Sequence, residues 1–394
     1  MSAMRPPATP KSIQITNATA IPSAIFQAPL VRPRWIVLCL CVLIIALAVV
    51  LVVVSLVVSP GGGATFGDTP RSLVWLAFMG RTFAFHATLG ATAAAMVGAL
   101  LARRKRWMFA IPIVVMAWLA WPEVRLMLPR LGAASIAHAS ADARAPASAA
   151  PVDAGASGSI TTREPPAMLR VLSMNLLFLS NDTPRVLAQI READADVIVL
   201  QEYHQDWDLD LYPELREAYP FVCRPLREGI FGQAVYSRMP FVEEPSLLRL
   251  HRDDYCPQIG IVVKVGGREV EVWNVHLISP SGPEYIMRQC EQMRVLRAHL
   301  GKRSRPVVLL GDFNSTAMSW TAGTLRSLEL REAHATVGSG RGATWPVLPL
   351  VRYLPGVRID QAWASHEIEW LSSRVMGETG SDHLPICVEL RVKQ

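Results

Sequence analysis

From Trp35 to Val58 the chain runs 24 residues, WIVLCLCVLIIALAVVLVVVSLVV, without a single charge. A helix needs about 20 apolar residues to cross a bilayer. The run exceeds the apolar part of a signal peptide, and no convincing small-residue cleavage site follows it, so it reads as a retained anchor. A second uncharged stretch, Thr82 to Ala102 (82–102), fits another span, with His86 inside it as a packing or interfacial residue. A third, WMFAIPIVVMAWLAW, starts at Trp107 and extends to Leu128 (107–128) if Glu123 and Arg125 lie at the far interface.

Lys and Arg near the spans set their orientation. The arm 1–34 carries Arg5, Lys11, Arg32 and Arg34 and no acid, and RRKR at 103–106 separates the second and third stretches. Both belong in the cytoplasm. The expectation is a membrane region over 35–130 with three spans, and everything beyond it outside the cytoplasm. Residues 131–167 are rich in Ala, Ser, Gly and Pro and cannot bury a core. They read as a flexible linker with a reach of roughly 30–37 Å.

Residues 168–394 are long enough for one sizeable α/β domain. Charge divides at the same boundary. Residues 1–167 hold 14 Lys/Arg against 5 Asp/Glu, and 168–394 hold 25 against 28. The excess of cations therefore belongs to the membrane part and is no sign of nucleic-acid binding by the folded domain. The six cysteines have no CxxC spacing in the domain, which argues against zinc, and spacing pairs none of them in a disulfide.

Within the domain, MLRVLSMNLL reads as a strand ending at Asn175. DTPRVLAQIREADA has helical spacing, with Val186, Leu187, Ile190 and Ala193 on one face. DVIVLQE is an apolar strand ending at Glu202, and FGQAVYSRMP a strand running into a turn. QIGIVVKVGGREVEVWNVHL is a hairpin about Gly266-Gly267 whose second strand ends at His276. PEYIMRQCEQMRVLRAHLGK is an amphipathic helix closed by Gly301. PVVLLGDFNS ends a buried strand with Asp312 and Asn314, which share a side if the extended conformation continues. Late strands follow at RIDQAWAS, with Asp360, and at PICVELRV, introduced by Asp382 and His383.

Apolar strands thus end repeatedly in a group able to hold a metal, a phosphate or a proton. The ends of strands in α/β folds are where sites are built. Carboxylates with Asn suit a hard cation such as Mg²⁺. Taken singly, Asn175, Asp360 and Ser381 also fit turn or capping roles, and His276 fits a satisfied polar residue on a strand.

In this order SMNL, LQE, YSR, NVHL, GDFN, RID and GSDH resemble the endonuclease/exonuclease/phosphatase superfamily, similar in motif order to exonuclease III, pancreatic-type deoxyribonuclease and neutral sphingomyelinase. The resemblance covers about 168–394 and not the membrane region, although bacterial members with an N-terminal membrane region exist. It implies a four-layered α/β sandwich, two packed β-sheets flanked by helices, and Mg²⁺-dependent phosphoester hydrolysis, with Mn²⁺ as a possible substitute. Glu202 matches the acidic metal ligand, and Asn175 and Asp382 match residues around the same metal or the nucleophile. Asp312 and Asn314 match the pair that positions the attacking water and a phosphate oxygen. His383 matches the histidine paired with Asp360, and His276 the histidine at the far side of the phosphate. Whether Asp312 or His383 is the base stays open, as does a structural role for Tyr236, Ser237 and Arg238.

The expected function is a phosphoesterase of the bacterial inner membrane. Its substrate is a lipid headgroup, a small phosphoester or nucleic acid, and no protein partner is implied. A tethered endo- or exonuclease and an inactive scaffold of the same fold are the alternatives.

Overall fold

The computed structural model describes residues 33–58, 66–102, 168–226, 231–254, 257–348 and 355–393, with Phe109, Ala110, Pro112, Val114 and Val115. Residues 1–32, most of the expected third span and the whole linker lie outside the described residues.

Helices α1 (Pro33–Val57) and α3 (Ala84–Ala102) are the two described helices long and apolar enough to cross a membrane. Cys41 meets Ala94 and Ala95, and Ala48 meets Ala91, so the pair is antiparallel with small residues at the crossing. The expected second span is shortened at its start, because the helix breaks at Phe83. Ahead of the break stands α2 (Arg71–Thr82), in the connection between the two expected spans.

In the folded domain β1 (Met168–Asn175) runs through α4 (Thr183–Ala193) into β2 (Val197–Gln201), its parallel neighbour. The expected apolar face of α4 is the buried one, Asp182 caps its N-terminus, and Asp194 ends it in the left-handed conformation. The chain continues through α5 (Gln205–Leu215), β3 (Phe221–Cys223) and β4 (Gln233–Ser237). With β11 (Ile368–Val375) and β12 (Ile386–Val392) these strands form one sheet, ordered β11-β12-β1-β2-β4-β3.

The second sheet repeats the pattern. Strand β7 (Arg268–His276) passes through α6 (Pro283–Leu300) into its parallel neighbour β8 (Val307–Asp312). The expected hairpin joins β6 (Gln258–Val265) to β7, with Gly266 and Gly267 both at positive φ. Strand β5 (Ser246–Leu248), helix α7 (Trp320–Ser327), β9 (Arg331–Glu332), helix α8 (Ala333–Val337) and β10 (Asp360–Ala364) complete the order β5-β6-β7-β8-β10-β9.

The inner faces of both sheets meet in an aliphatic core that includes Val171, Val199, Ile261, Val272, Leu310 and Val388. Helices α4 and α5 cover one outer face, and α6 and α7 cover the other. The folded domain is therefore a four-layered α/β sandwich. Each sheet's parallel pair ends at the same edge, so the last residues of β1, β2, β7 and β8 converge there. One polar seam crosses the core just beneath that edge: Gln201 Nε2 donates to Asn274 Oδ1 at 2.7 Å, and Asn274 Nδ2 donates to Leu200 O at 2.8 Å.

Gly311, at φ +144°, lets β8 approach β7 beneath this edge. A Cβ there would stand 1.8 Å from Val275 O. Gly323, in α7, has nothing within 4 Å of the same position. Gly311→Ala is expected to cost about 2 kcal/mol or more through strain and displaced backbone, and Gly323→Ala to be neutral or slightly stabilising. Thermal unfolding of the detergent-solubilised full chain checks this, and equal midpoints for the two variants would exclude the close approach.

Candidate active site

Register builds the first part of the site. In the second sheet Asp312 pairs with His276 on one side and with Asp360 on the other, so three strand ends form one polar row. From the facing sheet, Asn175 stands at the end of β1, and Glu202 directly follows β2 at φ 55°. The turn ahead of β12 brings His383 in.

Asp312 is where these groups meet. Its Oδ2 lies 3.2 Å from Asn175 Nδ2 and 3.1 Å from Asn314 Nδ2. His276 Nε2 stands 3.7 Å away from the same oxygen, and His383 Nε2 3.8 Å. Oδ1 accepts from the backbone N–H of Asn314 at 2.7 Å. Asn314 does not reach its place by continuing the strand. The chain leaves β8 at Asp312 and turns left-handed at Asn314, φ 47°, so an Asp-centred turn rather than the alternation of an extended strand brings the two side chains together. Burial pushes the Asp312 carboxyl up to about 8, against the pull of His383.

His383 bonds Asp360 Oδ2 through Nδ1 at 2.9 Å, with both side chains buried, and its backbone N–H donates to Ser381 Oγ at 3.0 Å. Asp360 is held in turn by its backbone N–H on Thr344 Oγ1, 3.2 Å. Burial works against a charged imidazole, but the carboxylates of Asp360, Asp312 and Asp382 outweigh it and raise His383 to about 10. His276 is different: burial lowers it, against the pull of the Glu202 and Asp360 carboxylates. Its Nδ1 has no bonding partner among the described residues, and the residue lines a cavity of about 10 Å³ with Asp254, Gln258 and Arg288, with room for about one water.

Glu202 accepts the Phe178 N–H on Oε2 at 2.7 Å and the Asn175 amide on Oε1 at 3.1 Å. No ion pair with Lys or Arg engages it among the described residues, so its charge is held by neutral dipoles. Asp382 Oδ2 accepts the Trp345 indole N–H at 3.0 Å, which leaves Oδ1 beside His383 Nε2 at 4.0 Å. This donor set is all hard oxygen and fits a divalent cation that prefers oxygen. Asn175 as placed turns its amide nitrogen, not its oxygen, toward Glu202 and Asp312. The ligand atoms of Asp312, Asp360 and His383 also lie within 4.8 Å of one another. Within this trio His383 and Asp360 are already bonded to each other, Nδ1 to Oδ2 at 2.9 Å, the arrangement of a proton-handling pair.

All eight residues singled out in the sequence therefore stand at one edge of the sandwich. Tyr236, Ser237 and Arg238 do not join them. In the register of β2 and β4, Ser237 pairs with Val197 at the far end, Tyr236 Oη bonds Tyr203 Oη at 2.6 Å, and Arg238 pairs with Asp194. Their role is structural. Sequence reasoning missed Thr344 and Trp345. Both lie in a segment without regular structure, where no periodicity marks a hydrogen-bonding side chain. It also missed Gln258, which carries the His276 N–H on Oε1 at 2.6 Å and opens a strand otherwise read for its apolar face.

Comparison with known proteins agrees with this architecture. Residues 172–383 match the model of the Endonuclease/Exonuclease/phosphatase family. No match was found among curated proteins. Solved structures resembling the chain include an endonuclease/exonuclease/phosphatase from Beutenbergia cavernae DSM 12333, with 22% identity over 58% of this chain and 72% of that one at a TM-score of 0.48. D. rerio TDP2 humanized by 14 mutations has 16% identity over 57% and 100%, TM-score 0.49. The human Nocturnin catalytic domain with bound sulfate has 20% over 58% and 96%, TM-score 0.46. With more than half of its length matched by the family model, the chain belongs to the endonuclease/exonuclease/phosphatase family of metal-dependent phosphoester hydrolases and nucleases.

Proposed function

We propose that the chain is a membrane-anchored, Mg²⁺-dependent phosphoesterase, with Mn²⁺ as an acceptable substitute, that hydrolyses a phosphodiester or phosphomonoester by in-line attack of water. The observation that carries this reading is the convergence on Asp312 of groups from both sheets, beside a charge-relayed His383 and a carboxylate with no cationic partner. Glu202 would hold the ion, with Asn175 and Asp382 beside it. The chemistry a divalent cation supplies when bound is neutralisation of charge at the phosphoryl and leaving oxygens.

The protein's own groups divide the remaining work. Asp360 fixes the tautomer of His383 and stabilises its charged form. Asp312 and His383 together orient a water and take its proton, and the water oxygen bonds phosphorus as the ester oxygen departs. His276 donates a hydrogen bond toward the phosphoryl group, and Asn314, whose amide donates to Leu277 O at 2.9 Å and Asp312 Oδ2 at 3.1 Å, holds the carboxylate in place. The domain's net charge of −3 (25 Lys/Arg against 28 Asp/Glu) weighs mildly against the tethered-nuclease alternative, for which GKRSR at 301–305 would be a local basic patch. Retention of Glu202, Asp312, Asp360, Asp382 and His383 disfavours an inactive scaffold.

For sidedness, the reading is three spans with the catalytic domain outside the cytoplasm, and two contacts support it. The C-terminal end of α1 and the start of α3 both meet the folded domain: Val58 packs against its outer core, and His86 bonds Pro355 O. In the three-span reading a chain leaving α3 at Ala102 emerges on the opposite face and would cross once more before Met168. The apolar stretch from Trp107 is the segment available for that crossing.

Glu202→Gln is expected to remove most metal-dependent hydrolysis, a loss of 100-fold or more, while thermal stability stays near the parent's. Chelation should abolish activity in the parent, and Mg²⁺ or Mn²⁺ restore it. A variant retaining the parent rate at saturating Mg²⁺ would remove Glu202 from the ion's ligands.

His383→Ala and Asp360→Ala should each lower kcat about 10²–10⁴-fold, and the double variant should be little worse than His383→Ala. Multiplicative losses would mean that the two residues act separately.

An alkaline phosphatase fused after Gln394 should be active, and a green fluorescent protein at the same place dark. The opposite pair of results would put the catalytic domain in the cytoplasm.

A further inference from the structure

The folded domain is not simply tethered to the membrane region; it is seated on it. Phe66, Val74 and Phe78, from the connection between the two spans and from α2, are buried in one cluster with Leu250, Leu277, Ile286 and Trp320 of the domain. Trp75 Nε1 donates to Pro280 O at 2.9 Å, and Arg71 pairs with Glu284 at 2.5 Å. At the other end of α2, Arg81 Nε donates to Ser55 O at 2.7 Å, satisfying a carbonyl in the last turn of α1.

The first turn of α3 reaches further, to the rim of the active site. The Phe85 ring lies under the Arg341 guanidinium, 4.0 Å from its centroid, and the His86 ring nitrogen contacts Pro355 O. Arg341 and Pro355 flank the segment that supplies Thr344 to Asp360 and Trp345 to Asp382. One strip of chain therefore touches a membrane span on one side and two site carboxylates on the other. The first turn of a spanning helix lies at the bilayer interface, so the rim lies there too.

Around the mouth, loops carry apolar side chains into solvent. Leu348 is 47% exposed and follows Val347, whose N–H donates to Asp382 O. Met318 is 43% exposed, four residues beyond Asn314, and Leu179 is 85% exposed, next to Phe178 on Glu202. Scattered exposed apolar residues are ordinary. Three on three loops of one site, beside the start of a membrane span, match an interfacial surface.

We propose that the rim of the active site sits in the interfacial layer of the bilayer, and that the substrate is a phosphoester on an amphiphile whose apolar part stays in the membrane. This rests on the phosphoesterase reading above and narrows its substrate class.

The test uses the full chain in lipid nanodiscs with Mg²⁺ and two chromogenic diesters, hexadecyl p-nitrophenyl phosphate and ethyl p-nitrophenyl phosphate. They share the scissile bond and leaving group and differ only in the tail. The expected result is a kcat/KM at least 10-fold higher for the hexadecyl diester. Leu348→Asp with Met318→Asp should lower that value at least fivefold and leave ethyl diester hydrolysis unchanged, which also reports that the variant is folded. Equal rates on the two diesters, or a variant that keeps the full preference, overturn the interfacial proposal and leave the phosphoesterase reading standing. Hydrolysis of neither diester, and of neither hexadecyl phosphate nor p-nitrophenyl phosphate, with Mg²⁺ or Mn²⁺, overturns both. Placement is read separately by a nitroxide on Leu348→Cys, with the signal of the unsubstituted chain subtracted and Leu209→Cys on the opposite outer layer as control. Greater relaxation by oxygen than by a water-soluble nickel complex at 348, and the reverse at 209, supports the proposal; water-like behaviour at 348 overturns it.

Discussion

A single buried carboxylate organises the catalytic edge. Ionised Asp312, almost wholly removed from water, carries a desolvation cost of several kcal/mol. That cost is tolerable only where donors surround it, and they come from different places: Asn175 from the first sheet, His276 and Asn314 from the second, and His383 from the turn before β12. Any slip of one strand by a residue would turn a donor to the other face and leave the charge unpaired. The site and the strand register are therefore one requirement. The raised Asp312 and raised His383 express the same fact: the protein pays for a crowded, dry group of acids by holding a proton among them.

What makes this crowding possible is topology. Each sheet contributes one parallel pair joined by a helical crossover, and parallel strands end together. Facing the two pairs across an aliphatic core brings four chain exits to one edge. The Gln201–Asn274 bond crosses that core directly beneath the site, where an unmade pair would cost about 1–3 kcal/mol. It penalises sliding of one sheet over the other, and so fixes Glu202 and Asn175 relative to Asp312 and Asp360.

Much of this was legible in the sequence because buried strands and polar strand ends leave local marks. Pro306 to Leu310 is apolar without interruption, and Gly266-Gly267 is a hairpin turn by composition. The residues that escaped notice depend on partners distant in sequence. Trp345 donates to a carboxylate 37 residues away, and Thr344 carries the backbone of a strand 16 residues on. Strand β11 alternates poorly between buried and half-exposed positions, since it lies at the edge of its sheet and bulges between Trp370 and Ser372. At Asn314 the inference of shared side was right and its geometry wrong, because a turn that closes on Asp312 competes with extension and wins. Helix α2 was overlooked because RSLVWLAFMGRT is too short to span a bilayer and its apolar face finds its partner only in the folded domain.

That last omission changes the relation between anchor and enzyme. A flexible linker alone would leave the domain free to roam within its reach. Burial of Phe66, Val74 and Phe78 in the domain's outer core stabilises the seated arrangement by roughly 1.5–3 kcal/mol per side chain before ordering costs. The sum is comparable with the net stability of a whole domain. Because Val74 and Phe78 complete the layer that also contains Trp320 and Ile286, the catalytic edge built on β7 and β8 finishes its outer packing only when α2 is in place. Folding of the site and docking of α2 are coupled by the same buried surface.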